Sequence, residues 1–320
     1  MVTANPAIDN LLSPVVLFFG LGALAKWVKS DLSLPPGMYP ALSTFLLLAV
    51  GLKGGTEMAE AKFGDLVGPM GATIALGLSI PFLIFFAARK LGKLSVADSA
   101  ALAAHYGSVS AVTFTAGQAF LQSAGTPAPG FAPALVALME IPGIIVALFL
   151  ARSGGPQDLH WKEAVHEIVT GRSVMLLLGG LLVGALAGHR FEIVKPFFVD
   201  PFKGVLCLFM LEMGTLAVER LSDLRQAGVF IVILGIVAPV ILGTLGVFAG
   251  LAVKMGVPGA TILGVLSASA SYIAAPAAVR IALPDAKPGY YLTAAIGITF
   301  PFNLTLGIPL YYFIAKQFGG

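Results

Sequence analysis

The feature that most constrains this chain is a succession of apolar runs, each close to the thickness of a bilayer. Ten can be marked off, at residues 11–27, 36–53, 66–88, 95–122, 130–151, 172–188, 201–218, 226–250, 258–283 and 288–315, with Gly, Pro and charged clusters between them. A helix needs roughly 20 mostly apolar residues to cross the hydrocarbon layer. Charged residues make up only 11% of the chain, against about 25% in soluble domains, so no water-facing surface can be assembled. The alternating pattern of a membrane β-barrel is absent. The expected fold is therefore an all-α integral membrane protein of ten transmembrane helices, several of them short or interrupted. Met1 to Asn10 holds Asp9 and no basic residue, which does not fit a cleavable signal peptide, so the first run is expected to be retained. The formal net charge of +3 is too small and scattered for nucleic-acid binding. A single cysteine, Cys207, permits neither an intrachain disulfide nor a thiolate metal cage and reads as a small core residue.

Lys and Arg are enriched on cytoplasmic loops. With the N-terminus outside, the loops of one side and their flanks collect Lys26, Lys29, Arg89, Lys90, Lys93, Arg152, Lys162, Arg172, Arg220, Arg225, Arg280 and Lys287, which is 12 of the 19 basic residues. This predicts a multi-pass protein of the plasma (inner) membrane with both termini outside. The polar stretch 152–171 becomes a short amphipathic or irregular cytoplasmic linker between halves 1–151 and 172–320.

Those halves resemble one another at an offset of 158 to 159 positions. Gly54-Gly55-Thr56-Glu57-Met58-Ala59 leads to Asp65-Leu66, as Glu212-Met213-Gly214-Thr215-Leu216-Ala217 leads to Asp223-Leu224. Ser108, Ser110 and Pro142 are answered by Ser267, Ser269 and Pro301, and Pro129-Gly130 by Pro288-Gly289. Five spans per half is an odd number, so the second copy enters the membrane from the opposite side, an inverted repeat common among secondary transporters.

The equivalent fourth and ninth spans read as broken near their centres, at His105-Tyr106-Gly107-Ser108-Val109-Ser110 and at Ser267-Ala268-Ser269-Ala270-Ser271-Tyr272-Ile273-Ala274-Ala275-Pro276. Gly107 permits backbone angles that other residues avoid, and Pro276 deletes a helical donor. Irregular backbone at membrane depth persists only when buried in protein or lining a wet cavity. Each break exposes carbonyls that suit a cation beside amides that suit an anion. Ser108, Ser110, Ser269 and Ser271 can donate to an oxyanion or lend oxygen to a cation, or they serve close helix packing. No Arg or Lys accompanies them, which favours a small, singly charged anion held weakly.

Ionisable residues inside spans are costly and usually functional. Asp98 heads the fourth span, where it either supplies charge to sodium, with Ser99, backbone carbonyls and Asn303 adding neutral oxygens, or caps the helix. Glu140 and Glu212 either serve function or lock helices together, and His105 reads as a packing or hydrogen-bonding residue.

The stretches Gly-Leu-Lys-Gly-Gly at 51–55, His-Tyr-Gly-Ser-Val-Ser-Ala-Val-Thr-Phe at 105–114, Ser-Ala-Ser-Tyr-Ile-Ala-Ala-Pro-Ala-Ala at 269–278 and Thr-Phe-Pro-Phe-Asn-Leu-Thr-Leu-Gly-Ile-Pro-Leu-Tyr-Tyr at 299–312 resemble the SbtA family of sodium-dependent bicarbonate transporters over almost the whole chain. The resemblance implies two inverted five-helix repeats arranged as core and gate domains, as in bile-acid-sodium-symporter-like folds, and assembly as a homotrimer. It implies bicarbonate held between crossed helices four and nine by Gly107, Ser108, Val109, Ser110, Ser269, Ala270 and Ser271. Sodium, the coupling ion, falls to Asp98, Ser99, Ser267 and Asn303, and no other cofactor is implied. Family members are inhibited at the cytoplasmic face by the PII-like partner SbtB. The central loop here, about 20 residues, is shorter than in well-known members, which puts that regulation in doubt.

The expected function is import of bicarbonate coupled to sodium. A sodium-coupled symporter of a small organic anion is the alternative, although the crowded Ser/Ala/Gly breaks favour something the size of bicarbonate; a passive channel would conduct without sodium. Enzyme readings lack their marks: His166-Glu167 is followed by Thr170 where a zinc motif needs histidine, neither a nucleophile elbow nor a P-loop occurs, and Gly20, Gly22 and Ala25 lie inside the first span with no strand before them.

Overall fold

The computed structural model describes residues 6–32, 34–35, 37–152, 161–221 and 223–319. Within them the chain is helical, without strands. A short α1 (Pro6–Leu11) precedes α2 (Pro14–Trp27), which starts where the Ser13 side chain accepts from Val16 N and Pro14 takes the first helical position, a place where the missing N–H costs nothing. Then come α3 (Met38–Glu60), α4 (Phe63–Lys90), α5 (Val96–Gly107), α6 (Ala111–Ser123) and α7 (Ala132–Ala151). After α8 (Trp161–Thr170) follow α9 (Arg172–Ala187), the small α10 (Lys195–Phe198), α11 (Phe202–Leu221), α12 (Leu224–Ala252), α13 (Gly256–Ala268) and α14 (Ala274–Ala282). The last span is assembled from α15 (Pro288–Leu292), α16 (Phe300–Phe302) and α17 (Ile308–Gly319), joined by π-helical stretches Thr293–Thr299 and Asn303–Gly307.

Seven helical stretches among the described residues are long and apolar enough to cross a membrane: Met38–Glu60, Phe63–Lys90, Ala132–Ala151, Arg172–Ile193, Lys195–Leu221, Ala227–Ala252 and Pro288–Gly319. The chain is a multi-pass membrane protein. The three other expected spans fall short of that length for physical reasons. Run 11–27 is interrupted at Leu12-Ser13, leaving α2 with 14 residues. Runs 95–122 and 258–283 are each cut in two, into α5 with α6 and α13 with α14. The linker 152–171 contains α8, which packs against α14 and α9; its residues 153–160 lie outside the described residues, as do 1–5 of the first half and Gly320 of the second.

Two helix pairs approach at backbone distance. α3 packs along α9, and α2 along α11. A Cβ at Gly55 would stand 2.1 Å from the Leu181 carbonyl oxygen, and one at Gly214 would stand 2.1 Å from that of Phe19. Likewise Gly22 meets the Leu211 carbonyl and Gly184 that of Leu52. Small residues permit such contact, and lipid offers no hydrophobic drive to replace it. α4, α5 and α7 pack together on one side, and α12, α13 and α17 on the other. Between them α5 and α13 are buried almost end to end.

The crossing of two broken helices as the candidate functional site

α5 is an alanine-rich helix that stops at Gly107, and serine is why the chain restarts where it does. Ser108 (φ −97°, ψ 169°) and Ser110 (φ −97°, ψ 109°) are extended, and the Ser110 side chain accepts from Thr113 N at 3.1 Å, capping α6. A hydroxyl at this place satisfies one of the donors a new helix leaves free. The second break is built alike: Ser269 is extended (φ −82°, ψ 161°), and Ser271 Oγ accepts from Ala275 N at 3.3 Å in the first turn of α14. Two details differ from expectation. Gly107 carries no positive φ; it is glycine because a Cβ would lie 2.4 Å from Pro81 Cγ and 3.1 Å from Gly143 Cα. Pro276 lies within the first turn of α14, where its missing donor is tolerated, so the break precedes it.

The two breaks are tied to each other. Ser110 N donates to Ser269 Oγ at 3.0 Å, across 159 positions of sequence, and Ser271 N donates to the His105 carbonyl at 2.7 Å. Ser269 Oγ in turn donates to Leu266 O at 2.8 Å. Gly107, Ser108, Val109, Ser110, Ser269, Ala270 and Ser271 are all buried. These bonds bring the end of α5 to the residues that lead into α14, and the start of α6 to the end of α13. Among the residues of the breaks, Ser108 Oγ, His105 Nε2 and the Tyr272 hydroxyl are fully buried without a hydrogen-bond partner. Buried polar groups are nearly always paired, which sets these three apart. His105 otherwise packs as expected, with Nδ1 2.7 Å from Ala101 O and its ring stacked on Tyr291 at 4.4 Å.

Of the four residues expected to hold sodium, two reach the second break. Asn303 Nδ2 donates to Ala268 O, the last carbonyl of α13, at 2.8 Å, and its Oδ1 lies 2.8 Å from the Tyr311 hydroxyl. Ser267 occupies the same final turn. Two glycines make the room: a Cβ at Gly307 would stand 2.5 Å from Asn303 Oδ1, and one at Gly246 would stand 2.5 Å from Ser267 Oγ. Asp98 and Ser99 do not converge with them. Asp98 is nine residues before Gly107, about 14 Å along a helix that rises ~1.5 Å per residue. Its carboxylate accepts from Ser95 Oγ at 2.7 Å and from Lys287 N at 2.8 Å. The expected single cluster of Asp98, Ser99, Ser267 and Asn303 is thus corrected by the length of α5: Asp98 fastens the start of that helix to the start of the last span. Replacing Asp98 by Ala is expected to remove about 1.5–3 kcal/mol of stability, as charge-assisted hydrogen bonds do. Thermal denaturation of the purified protein measures that loss, and the sodium concentration giving half-maximal uptake is expected to stay within about twofold.

Two further residues, Tyr106 and Thr299, escaped the sequence reading. Tyr106 in the last turn of α5 hydrogen-bonds Thr299 at 2.7 Å, and Thr299 donates to Gly235 O at 2.8 Å, linking α5, the last span and α12. Glu140 accepts from Ser173 at 3.1 Å, both buried, which locks α7 to α9. Glu212 lies on α11 near Tyr39 of α3. Two cavities, of about 410 and 390 Å³, share Ala119 and Lys203 and run along the flank of α6.

Compared with known families, residues 14–316 match a family model described as the Na+-dependent bicarbonate transporter superfamily. No curated protein matches the chain.

Proposed function

We infer that this chain, which belongs to the Na+-dependent bicarbonate transporter superfamily, imports bicarbonate together with sodium by alternating access at the crossing of its broken helices. The family is one of transporters, and the protein is not an enzyme. The observation that carries the reading is the mutual closure of the breaks, in which Ser110 N meets Ser269 Oγ and Ser271 N meets the His105 carbonyl. That closure puts the amide ends of α6 and α14 beside the carbonyl ends of α5 and α13. Amides at a positive helix end stabilise an anion, and carbonyls a cation.

In this cycle sodium takes oxygens at the end of α13, from Ser267, Asn303 and the local carbonyls, and bicarbonate docks among Ser108, Ser110, Ser269 and Ser271. Each ion strengthens the other by the same factor. One sodium per bicarbonate moves no net charge, whereas a second sodium adds about 2.3 kcal/mol per 100 mV. The halves are read as inverted five-helix repeats because their packing is reciprocal: Gly55 on Leu181 in one place answers Gly214 on Phe19 in the other. On that reading α2, α3, α9 and α11 form the gate, the remaining spans form the core, and both termini face outside.

Uptake of radiolabelled inorganic carbon into proteoliposomes tests the proposal. Uptake is expected to require sodium and to resist competition by organic anions. Sodium-independent flux would instead mark a channel, and strong competition by a keto acid or bile-acid-like solute would mark an organic-anion symporter. Ser108→Ala and Ser269→Ala are each expected to raise the apparent KM for bicarbonate several-fold, the cost of one hydrogen bond to a charged group. Unchanged KM in both would remove the serines from the site.

A further inference from the structure

Tyr272 follows the second break, between Ser271 and α14, with only 8% of its surface exposed. Its ring meets Phe300 edge-on at 5.7 Å, and Phe300 meets Phe19 of α2 at the same distance. Its hydroxyl oxygen is sealed from solvent yet makes no hydrogen bond. That hydroxyl lies close to the side chain of Ser110 from the other break and within electrostatic reach of Tyr39 of α3, whose ring stacks on Phe209 of α11 at 5.0 Å. Tyr272 therefore stands where the crossing meets α2, α3 and α11.

An unpaired buried hydroxyl costs about 1–3 kcal/mol, and phenylalanine would keep the ring contacts without it. Ser110, whose oxygen accepts from Thr113 N at 3.1 Å as the cap of α6, lies close by, but the two hydroxyls do not meet in hydrogen-bonding geometry. A phenol both donates and accepts, and bicarbonate offers acceptor oxygens as well as one O–H donor. We propose that the Tyr272 hydroxyl is a direct ligand of the transported anion, closing the crossing on the side of α2, α3 and α11 and completing the polar shell begun by the serines. The proposal rests on the transport reading and adds a residue that sets anion affinity from the gate side.

Tyr272→Phe separates it from a structural role. In proteoliposomes at saturating sodium, the variant is expected to raise the apparent bicarbonate KM about five- to twentyfold, with maximal rate and sodium half-saturation within about twofold. Thermal melting of the purified variant without bicarbonate is expected at or above that of the wild type, because the unpaired hydroxyl is gone, while the stabilisation that bicarbonate plus sodium gives the wild type is expected to shrink. A KM within twofold of wild type, or a fall in maximal rate at unchanged KM, would overturn the assignment. Should Ser110→Ala shift KM while Tyr272→Phe does not, the transport reading stands and the Tyr272 proposal fails. Should the wild type show no sodium-dependent uptake, the transport reading fails, and bicarbonate-induced stabilisation decides Tyr272 on its own: loss in the variant supports the ligand role, and equal or absent stabilisation in both proteins refutes it.

Discussion

Alanine at Gly143 is expected to reduce sodium-dependent uptake to below about 1% of wild type, although the substitution adds one methyl group. Gly143 follows Pro142 in α7, and a Cβ there would stand 1.9 Å from the Gly107 carbonyl oxygen and 2.2 Å from its carbonyl carbon. These are backbone atoms of the first break, so no side chain can rotate away. Gly107 has little free space of its own, because a Cβ there would already stand 2.4 Å from Pro81 Cγ. α7 must therefore part from α5 by more than an ångström, and overpacking of this kind costs about 1–3 kcal/mol or more. The displacement lands two or three residues from both bonds that tie the breaks together. Gly179→Ala on α9, where nothing lies within 4 Å of the added Cβ, is the control and is expected to transport normally. Initial uptake rates, with size-exclusion profiles of both variants, check the contrast; normal transport by Gly143→Ala would show that the crossing tolerates a shift of α7.

What was legible in the sequence follows from how far its signals act. Serine and glycine inside an apolar run stand out locally, so both breaks and their mutual offset could be read, and the structure bonds Ser110 to Ser269 and Ser271 to the His105 carbonyl. Asp98 was harder. The sequence left it as a sodium ligand or a helix cap, and the backbone group its carboxylate holds, Lys287 N, is 189 positions away. The glycine contacts were not legible, because Gly22, Gly55, Gly143 and Gly214 owe their identity to the backbone of another helix, and nothing nearby in sequence says which helix that is. The π-helical turns on either side of Pro301 were equally hidden, since no local residue pattern marks them.

Those turns support the second large effect. Asn303→Ala is expected to raise the sodium concentration for half-maximal uptake at least tenfold, leaving less than about a tenth of the wild-type rate at limiting sodium. π-Helical turns are rare and recur at functional positions; here one spans Asn303–Gly307 and brings Gly307 against Asn303 Oδ1, where a Cβ would intrude at 2.5 Å. Asn303 supplies the side chain that bonds the final carbonyl of α13, 35 positions away. Removing it leaves Ala268 O without that partner, while Tyr311 keeps the Pro239 carbonyl at 3.0 Å. A change of 1.4 kcal/mol is a factor of ten in affinity, within the cost of losing one buried hydrogen-bond partner. Because the two ions assist each other equally, bicarbonate KM in Asn303→Ala is expected to recover toward wild type as sodium is raised to saturation. Gly307→Ala, which crowds Oδ1 without deleting it, is expected to shift sodium dependence in the same direction by a smaller factor. Sodium titrations of uptake at fixed bicarbonate measure both variants, and a loss of thermal stability with unaltered sodium half-saturation would make Asn303 a tie between helices and place the cation elsewhere.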